Sequence, residues 1–442
     1  MIMTKDYKPY EKYKETNMFW ATSIPTNWKE VKIKHLFFER SEKGFPNEPL
    51  LSATQSRGVI PTSLFETRTV VATKGLETLK LVEIGDFVIS LRSFQGGIEY
   101  AYYHGIISPA YTVMTPKPLM YKGYFKYLAK SYLFIDLLKT CVTGIREGQN
   151  INYSLLKKSY IPVPSLGEQL QIERFLDFKT SKINKFIKDK NREIELLMEQ
   201  IEFLCFSQSD RIKTIVNWDK AFEPSWERIK AKRLFEEINI KNCPNEELLA
   251  VTQNRGVVYK KDCKQNYVSP SGSLDGLKLV NNGDFVISLR SFQGGIEYSF
   301  CRGIVSPAYN VFCLKQRFNN QELKTFFRFL FKTKPFIELL KTLGGGIRDG
   351  KNISFSDFSE FYMPIPTKEQ LAKIIEVSKR LDVLQKQNIQ LFALMNEYKT
   401  SLISEVVTGK ADVRDVKIDA VFEMETLDEV EAEIEEVELT EE

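Results

Sequence analysis

GDFVISLRSFQGGIEY, residues Gly85–Tyr100, returns letter for letter at Gly283–Tyr298, 198 positions later. Sixteen identical residues do not recur by chance, so the chain is an internal duplication. Within the stretch, Phe87, Ile89 and Leu91 alternate with Val88, Ser90 and Arg92. That period of two predicts a β-strand with one face on a core. SFQGG interrupts it. Gly96-Gly97 there predicts a tight reversal, because glycine takes positive φ without steric cost. IEYAYYHGIISPAYTVM (98–114) then resumes a β-rich, aromatic pattern.

Working outward, residues 28–115 align with 226–313 without a gap, and 46 of those 88 positions are identical. Trp20 and Trp28 pair with Trp218 and Trp226. The most divergent block is 60–78 against 258–276, which shares only Val70/Val268 and Leu76/Leu274. Its equal length predicts a kept fold with a changed surface. A helical stretch follows in each copy, 124–141 and 322–343. GIREGQN (144–150) and GIRDGKN (346–352) come next, now at an offset of 202. Each copy therefore reads as an α+β unit.

Each unit exits through a Pro-x-Pro pair, Pro162/Pro164 and Pro364/Pro366, where proline stops one element and stiffens the next. Two long helices are predicted beyond, 168–206 and 369–407. In the first, Thr180, Ile187, Ile194 and Ile201 share one heptad position, and Ile183, Lys190, Leu197 and Leu204 the other. In the second, Ile374, Leu381, Asn388, Met395 and Leu402 form one row, and Val377, Leu384, Leu391 and Tyr398 the other. Sustained heptads predict a coiled coil, and Asn388 is the polar exception able to fix register. The expected architecture is α+β with a pseudo-twofold: two similar units, 1–165 and 209–367, separated by helices 166–208 and 368–408 pairing antiparallel. An acidic tail, 409–442, is expected to be disordered.

The 442 residues carry a formal charge of +4, which hides a division. Residues 418–442 hold twelve acidic residues and no basic one, so the rest carries 62 basic against 46 acidic. A body at +16 suits a polyanionic partner, although a generally basic surface explains it as well. No run is apolar enough for a membrane span or a signal peptide, and a cytoplasmic location is expected. The six cysteines show no CxxC spacing, which argues against zinc or redox pairs. The two histidines, His35 and His104, face Arg233 and Arg302 in the other copy, so a duplicated histidine site is excluded. Gly345, Gly350 and Lys351 imitate a phosphate-binding loop but lack its final Ser/Thr. No metal site is expected, and the missing catalytic groups point to a binding protein.

The ordered pieces resemble the specificity subunit of type I DNA restriction–modification systems. IPTNWKEVKIKHL (24–36) is similar to that family's opening, and RSFQGG with GIISPAY (105–111) and GIVSPAY (303–309) to its target-recognition motifs. IPVPSLGEQ (161–169) and MPIPTKEQ (363–370) resemble its exits into conserved helices, and SLISEVVTGKADVR (401–414) its C-terminal helix ending. The resemblance implies a non-catalytic subunit. Each recognition domain would read one half of a bipartite double-stranded DNA site, and the helices would fix the spacer. It implies partners too: two modification subunits that methylate adenine with S-adenosylmethionine, and restriction subunits using ATP and Mg2+. No cofactor is expected on this chain itself. Because the two units are near copies, a near-symmetric site is expected. A stand-alone DNA nuclease, or a scaffold without DNA readout, are the alternatives.

Candidate DNA contacts are Arg92 with Gln95 and Arg290 with Gln293, since arginine can grip guanine and glutamine adenine. Arg57 and Arg255 in TQSRG and TQNRG, Arg146 and Arg348 in the GIR loops, and Lys74 in the divergent block complete the set. For each, the plainer alternative is a structural bond or a phosphate contact. Phe175, Phe186, Phe203 and Phe206, near the first helical seam, are candidate partner-docking residues, with burial against the companion helix as the alternative.

Overall fold

A computed structural model describes residues 7–55, 57–64, 75–143, 150–206, 218, 221–253, 255–263, 273–343 and 353–418. The chain divides into two compact units, Met1–Ile187 with Leu391–Glu442, and Lys188–Gln390. The dividing lines pass through both long helices, so each unit owns part of each. The expected boundaries at 165 and 367 instead treated the helices as separate segments.

The duplicated sixteen residues sit at the centre of the same sheet in each unit. In the first, four antiparallel strands run in the order Phe37–Arg40, Thr112–Pro116, Phe87–Ile89, Glu99–Tyr100. In the second the order is Phe235–Ile238, Asn310–Leu314, Phe285–Ile287, Glu297–Tyr298. A hairpin, Leu51–Thr54 with Gly58–Pro61, lies across one side of the first unit. Its copy is Leu249–Thr252 with Gly256–Tyr259. The ribbon Lys29–Lys32 with Tyr160–Val163 closes the unit, as Glu227–Lys230 with Tyr362–Ile365 does in the second.

The alternation in FVISLR predicted one buried face. Both faces are buried. Phe87 and Ile89 enter an aromatic core with Trp28, Phe37, Tyr124, Phe125 and Phe134. Val88 points the other way, into a second cluster with Leu51, Val59, Val82, Ala101 and Val113. The hairpin supplies that second cover, and each such aliphatic side chain removed from water contributes about 1.5–3 kcal/mol.

The helical stretch expected over 124–141 is broken in two, Lys122–Leu128 and Tyr132–Thr140. Ser131 makes the break: its hydroxyl donates to the Leu128 carbonyl at 2.8 Å and accepts the Phe134 N–H at 3.3 Å, capping the second helix. In the other unit the break falls between Gln321–Leu330 and Lys334–Leu343. There Pro335 sits in the first turn, where its missing N–H costs nothing. Lys130 and Lys332 lie in these breaks.

The long helices are Leu166–Cys205 and Lys368–Val407. Within the second unit, Asn388 is buried on its seam row and donates to the Lys190 carbonyl at 3.2 Å. Leu196 and Leu197 share a hollow with Val383 and Leu384, so the helices descend past each other, antiparallel. Within the first unit, Lys399 donates to Asn184 at 3.0 Å. Gln171 reaches the carbonyls of Val413 and Val416 at 3.0 and 2.9 Å.

Those last bonds correct the expected start of the tail. Residues 409–418 are not a loose extension. Val413 and Ala411 are buried in the first core, and the Asp412 N–H donates to the Lys8 carbonyl at 2.8 Å. The motif SLISEVVTGKADVR (401–414) runs past the expected boundary at 409, which therefore falls inside a packed segment.

The tryptophans of the opening motif hold the start of each long helix. The Trp28 indole, fully buried, donates to Glu168 at 2.8 Å, and Tyr10 donates to the same oxygen at 2.7 Å. In the second unit the Trp226 indole donates to Gln370.

Candidate nucleic-acid interface

After Ile89 the chain leaves the sheet and makes one helical turn, Ser93–Gly96. Two serines lock it. The buried Ser93 hydroxyl accepts the Ser90 N–H at 2.8 Å, and the Ser90 hydroxyl accepts the Arg92 N–H at 3.4 Å. The copies, Ser291 and Ser288, do the same at 2.9 and 3.3 Å. Only the second glycine of the pair needs its freedom. Gly97 has φ +85°, and a Cβ there would stand 2.2 Å from the Ala129 carbonyl oxygen. Gly295 repeats this against Phe331, at 2.0 Å.

The lock turns Leu91, Arg92 and Gln95 outward, with Leu289, Arg290 and Gln293 as their copies. All six are exposed. Among the described residues neither the Arg92 nor the Arg290 guanidinium takes a hydrogen bond or ion pair. Both are open to a ligand on a preorganised turn, which avoids the ordering cost of a mobile one.

Arg57 and Arg255 are placed differently. Each sits at the tip of its hairpin, where a threonine hydroxyl accepts the arginine N–H, at 3.0 Å from Thr54 and 3.1 Å from Thr252. The Arg57 guanidinium donates to the Leu64 carbonyl at 3.4 Å, and that of Arg255 to the Asp262 carbonyl at 3.2 Å. One donor of each fork ties down the loop, and the side chains remain exposed. Arg146, Arg348 and Lys74 lie outside the described residues.

The structure joins what the sequence kept apart. The hairpin tip and the locked turn are neighbours: a Cβ at Gly96 would lie 3.0 Å from the Gln55 side chain, and one at Gly294 would lie 2.8 Å from Gln253. Gln55 and Gln253 are exposed beside Gln95 and Gln293. Sequence reasoning passed them over, although both stand in the shared TQ-x-RG motif. It also missed the cation beneath. Lys130 Nζ lies 3.3 Å from the Gln55 carbonyl, 3.0 Å from that of Gly96, and 2.7 Å from both carboxylate oxygens of the buried Glu99. Lys332 Nζ repeats this with Gln253 at 3.2 Å, Gly294 at 2.8 Å and Glu297 at 2.5 Å. The signal was there, as a glutamate held in an apolar strand in both copies.

Burial pushes both glutamates up, Glu297 to about 7, because the lysine only partly offsets desolvation. Lys332 is pushed down by the same burial. The second pair is the poorer one: among the described residues, the buried Glu297 Oε2 has no partner.

The four phenylalanines divide. Phe175 and Phe206 are buried in the two cores, so they are not docking residues. Their ring faces are spent on Tyr7, and on Trp218 and Phe222. Phe186 and Phe203 are exposed. In the second unit an open apolar hollow lies along the helices, lined by Leu196, Leu197, Val383 and Leu384 and rimmed by Lys379 and Arg380. Among the described residues no group of three His, Cys, Asp or Glu is placed to hold a metal ion. Among the described residues no helix is long and apolar enough to cross a membrane.

No family model matches the sequence. A protein of Methanocaldococcus jannaschii with the provisional name type I restriction enzyme MjaX specificity subunit is 24% identical over 328 residues. The match covers 70% of this chain and 69% of that one. A chain solved in work on complex assembly and conformational transition of the type I R-M system matches with a TM-score of 0.51 and 12% identity. It covers 87% of this chain and 98% of that one. The sequence is thus similar to that of a protein named as a type I specificity subunit, and the fold to that of a chain from work on a type I system. The HsdS subunit of Thermoanaerobacter tengcongensis also matches, at a TM-score of 0.36 and 12% identity over 88% of this chain and 98% of that one. The S subunit of M. genitalium gives 0.39 and 14%, over 86% and 96%. The doubled unit with its two long helices is thus a fold similar to that of a chain solved in work on the type I R-M system.

Proposed function

We propose that this chain is the non-catalytic DNA-reading subunit of a type I restriction–modification assembly. One observation carries the reading: the same exposed Arg/Gln pair is presented twice, from a turn locked by the same two serines. Each unit reads one half of a bipartite double-stranded site, Arg92 and Arg290 offering a fork for guanine and the glutamines one for adenine. Phosphate contacts from the basic body supply affinity and salt dependence. The divergent blocks 60–78 and 258–276 set any difference between half-sites, and the site is near-symmetric because the frames are near-identical.

The partners are modification subunits, which methylate adenine with S-adenosylmethionine, and restriction subunits, which use ATP and Mg2+. Two modification subunits fit two units. Exposed Phe186 and Phe203 and the hollow at Leu196 and Val383 are the surfaces offered to them. The assembly works in the cytoplasm, where its DNA is.

The test is to isolate the chain with its modification subunit and map the methylated adenines. Two related half-sites in inverted orientation are expected. Two unrelated half-sites would overturn the symmetric reading, and no site-specific methylation at all would overturn the function. Arg92→Ala with Arg290→Ala is expected to relax the motif at one position in each half, with a loss of roughly 1–3 kcal/mol of discrimination per half-site.

A further inference from the structure

We propose that Lys130 and Lys332 are positioning residues for base reading, each fusing a hairpin tip and a locked turn into one composite surface. This rests on the proposed function and deepens it: the reading element is not the turn alone but two segments some forty residues apart in sequence.

Each ammonium collects oxygens from three separate segments. For Lys130 these are the Gln55 carbonyl of the hairpin tip, the Gly96 carbonyl of the turn, and the Glu99 carboxylate of the sheet edge. Lys332 takes the same three kinds of partner in the second unit. The lysine itself comes from a fourth segment, the break between two helices, whose serine cap or proline fixes where it stands. The two carbonyls that it grips belong to Gln55 itself and to the residue after Gln95. Moving the lysine therefore moves the exposed amides directly.

A structural role alone does not account for this choice. Taking a lysine and a glutamate out of water costs several kcal/mol per ion, and a well-packed apolar pair of similar volume serves stability as well or better. Both units nevertheless keep the charged pair, even in the second, where one glutamate oxygen has no partner among the described residues. What an apolar pair does not supply is a rigid bond to two backbone carbonyls on different loops. Base reading needs that rigidity, because a bidentate contact tolerates only small displacement.

The experiment uses the complete methylating complex, with three variants of the first unit. Lys130→Met with Glu99→Met removes both charges together, so no unpaired ion is left in the core. Arg92→Ala reports on the reading itself, and Lys130→Arg keeps the charge while displacing it. Methylation rates are measured on the mapped site and on sites with one base changed in either half, beside hydrogen exchange in strand Phe87–Ile89. The Met pair is expected to lower discrimination in one half-site by about 10-fold and to leave the other half and the strand's protection unchanged. Unchanged discrimination in the Met pair, with Arg92→Ala damaging it, would overturn the positioning role while leaving the reading intact. If Arg92→Ala also changes nothing, the locked turn does not read DNA and both fall. Should the Met pair lose its protection, Lys130→Arg decides by the same measure: discrimination falling in one half supports the role, and discrimination held at the wild-type value overturns it.

Discussion

Asp86 and Asp284 occupy the same place in the two units, at the start of the same central strand, and they are kept in different ways. Asp86 has a cation and a hydroxyl: Arg40 Nε donates at 2.8 Å and Thr115 at 2.6 Å, besides the Glu83 N–H at 3.0 Å. In the second unit Ile238 and Cys313 stand where Arg40 and Thr115 stood. Asp284 retains the backbone bond, from the Asn281 N–H at 2.7 Å, and burial pushes its carboxyl up to about 6. A second pair differs likewise. His104 bridges Glu83 and Glu48 at 2.8 and 3.0 Å, while Arg302 binds Glu246 and Asn281 at 2.8 and 2.9 Å. The locked turns, by contrast, share the two serine bonds that hold them. Drift has been tolerated where a backbone N–H or a substitute ion could carry the load, and it has not reached the turn.

The hardest way to break the likeness is at the glycines. Gly97→Ala and Gly295→Ala each force a Cβ into a carbonyl oxygen at positive φ, and each is expected to cost about 3 kcal/mol or more. Denaturant unfolding followed by hydrogen exchange in each unit measures this. Equal losses mean one shared frame, and a tolerated alanine in either unit means that the turns are not equivalent.

The aspartates should then separate the units. Asp86→Asn removes the buried charge partner of Arg40, leaving it the exposed Glu42, and is expected to cost about 2 kcal/mol. Asp284→Asn at pH 8 removes a charge that the fold holds at a disadvantage, and it is expected to be neutral or stabilising. Matching losses in the two variants would refute the contrast.

The same difference should appear with pH. The folded pKa of Asp284 is raised, so its contribution is fully present below the unfolded value near 3.9 and is lost as pH rises through about 6. The second unit is expected to lose about 2 kcal/mol from this group between pH 4 and pH 7.5. Glu297, pushed to about 7, acts in the same direction, and so does Glu99 in the first unit; the units differ at Asp284 and in the poorer Glu297 pair, both of which weigh on the second unit. Hydrogen exchange of strand Phe285–Ile287 against Phe87–Ile89 across that range reads the difference, and parallel curves would remove it.

The smallest effect is expected at His104. Its glutamates raise its pKa, so its clamp is present below the unfolded value near 6.5 and is lost as pH rises through the folded one. His104→Arg should keep the clamp at pH 8, a gain of a few tenths of a kcal/mol at so exposed a site. A gain equally large at pH 5.5 would contradict the titration.

Much of the fold was legible because its signals are periodic or repeated. Heptad rows placed both helices and singled out Asn388, which does bond across the seam. One strand and a glycine turn were read from sixteen residues. What was misread has a common cause. Val88 looked like the solvent face of a strand because alternation reports one neighbour, and the covering hairpin comes from thirty residues upstream. The helix over 124–141 looked continuous because apolar periodicity survives a break that Ser131 alone announces. The tail was expected to start at 409, inside SLISEVVTGKADVR, because the acid-rich composition farther along dominated the segment. For the interface, exposed Arg92 and Gln95 could be named from the sequence, whereas Arg57, half committed to a carbonyl, could not be told from a free arginine.

The sequence by itself determined that there are two copies of one unit, two helices with a seam, a basic body, and no duplicated histidine chemistry. These follow from identity, period and composition, which are properties of the chain read along its length. Only the tertiary structure decided that the TQ-x-RG tip lies beside the RSFQGG turn and that one lysine holds them together. That contact joins residues 55, 96, 99 and 130, whose spacing obeys no period. It exists because an ion removed from water must gather its oxygens from whatever segments the fold brings within 3 Å or so, and no local pattern records which ones those are.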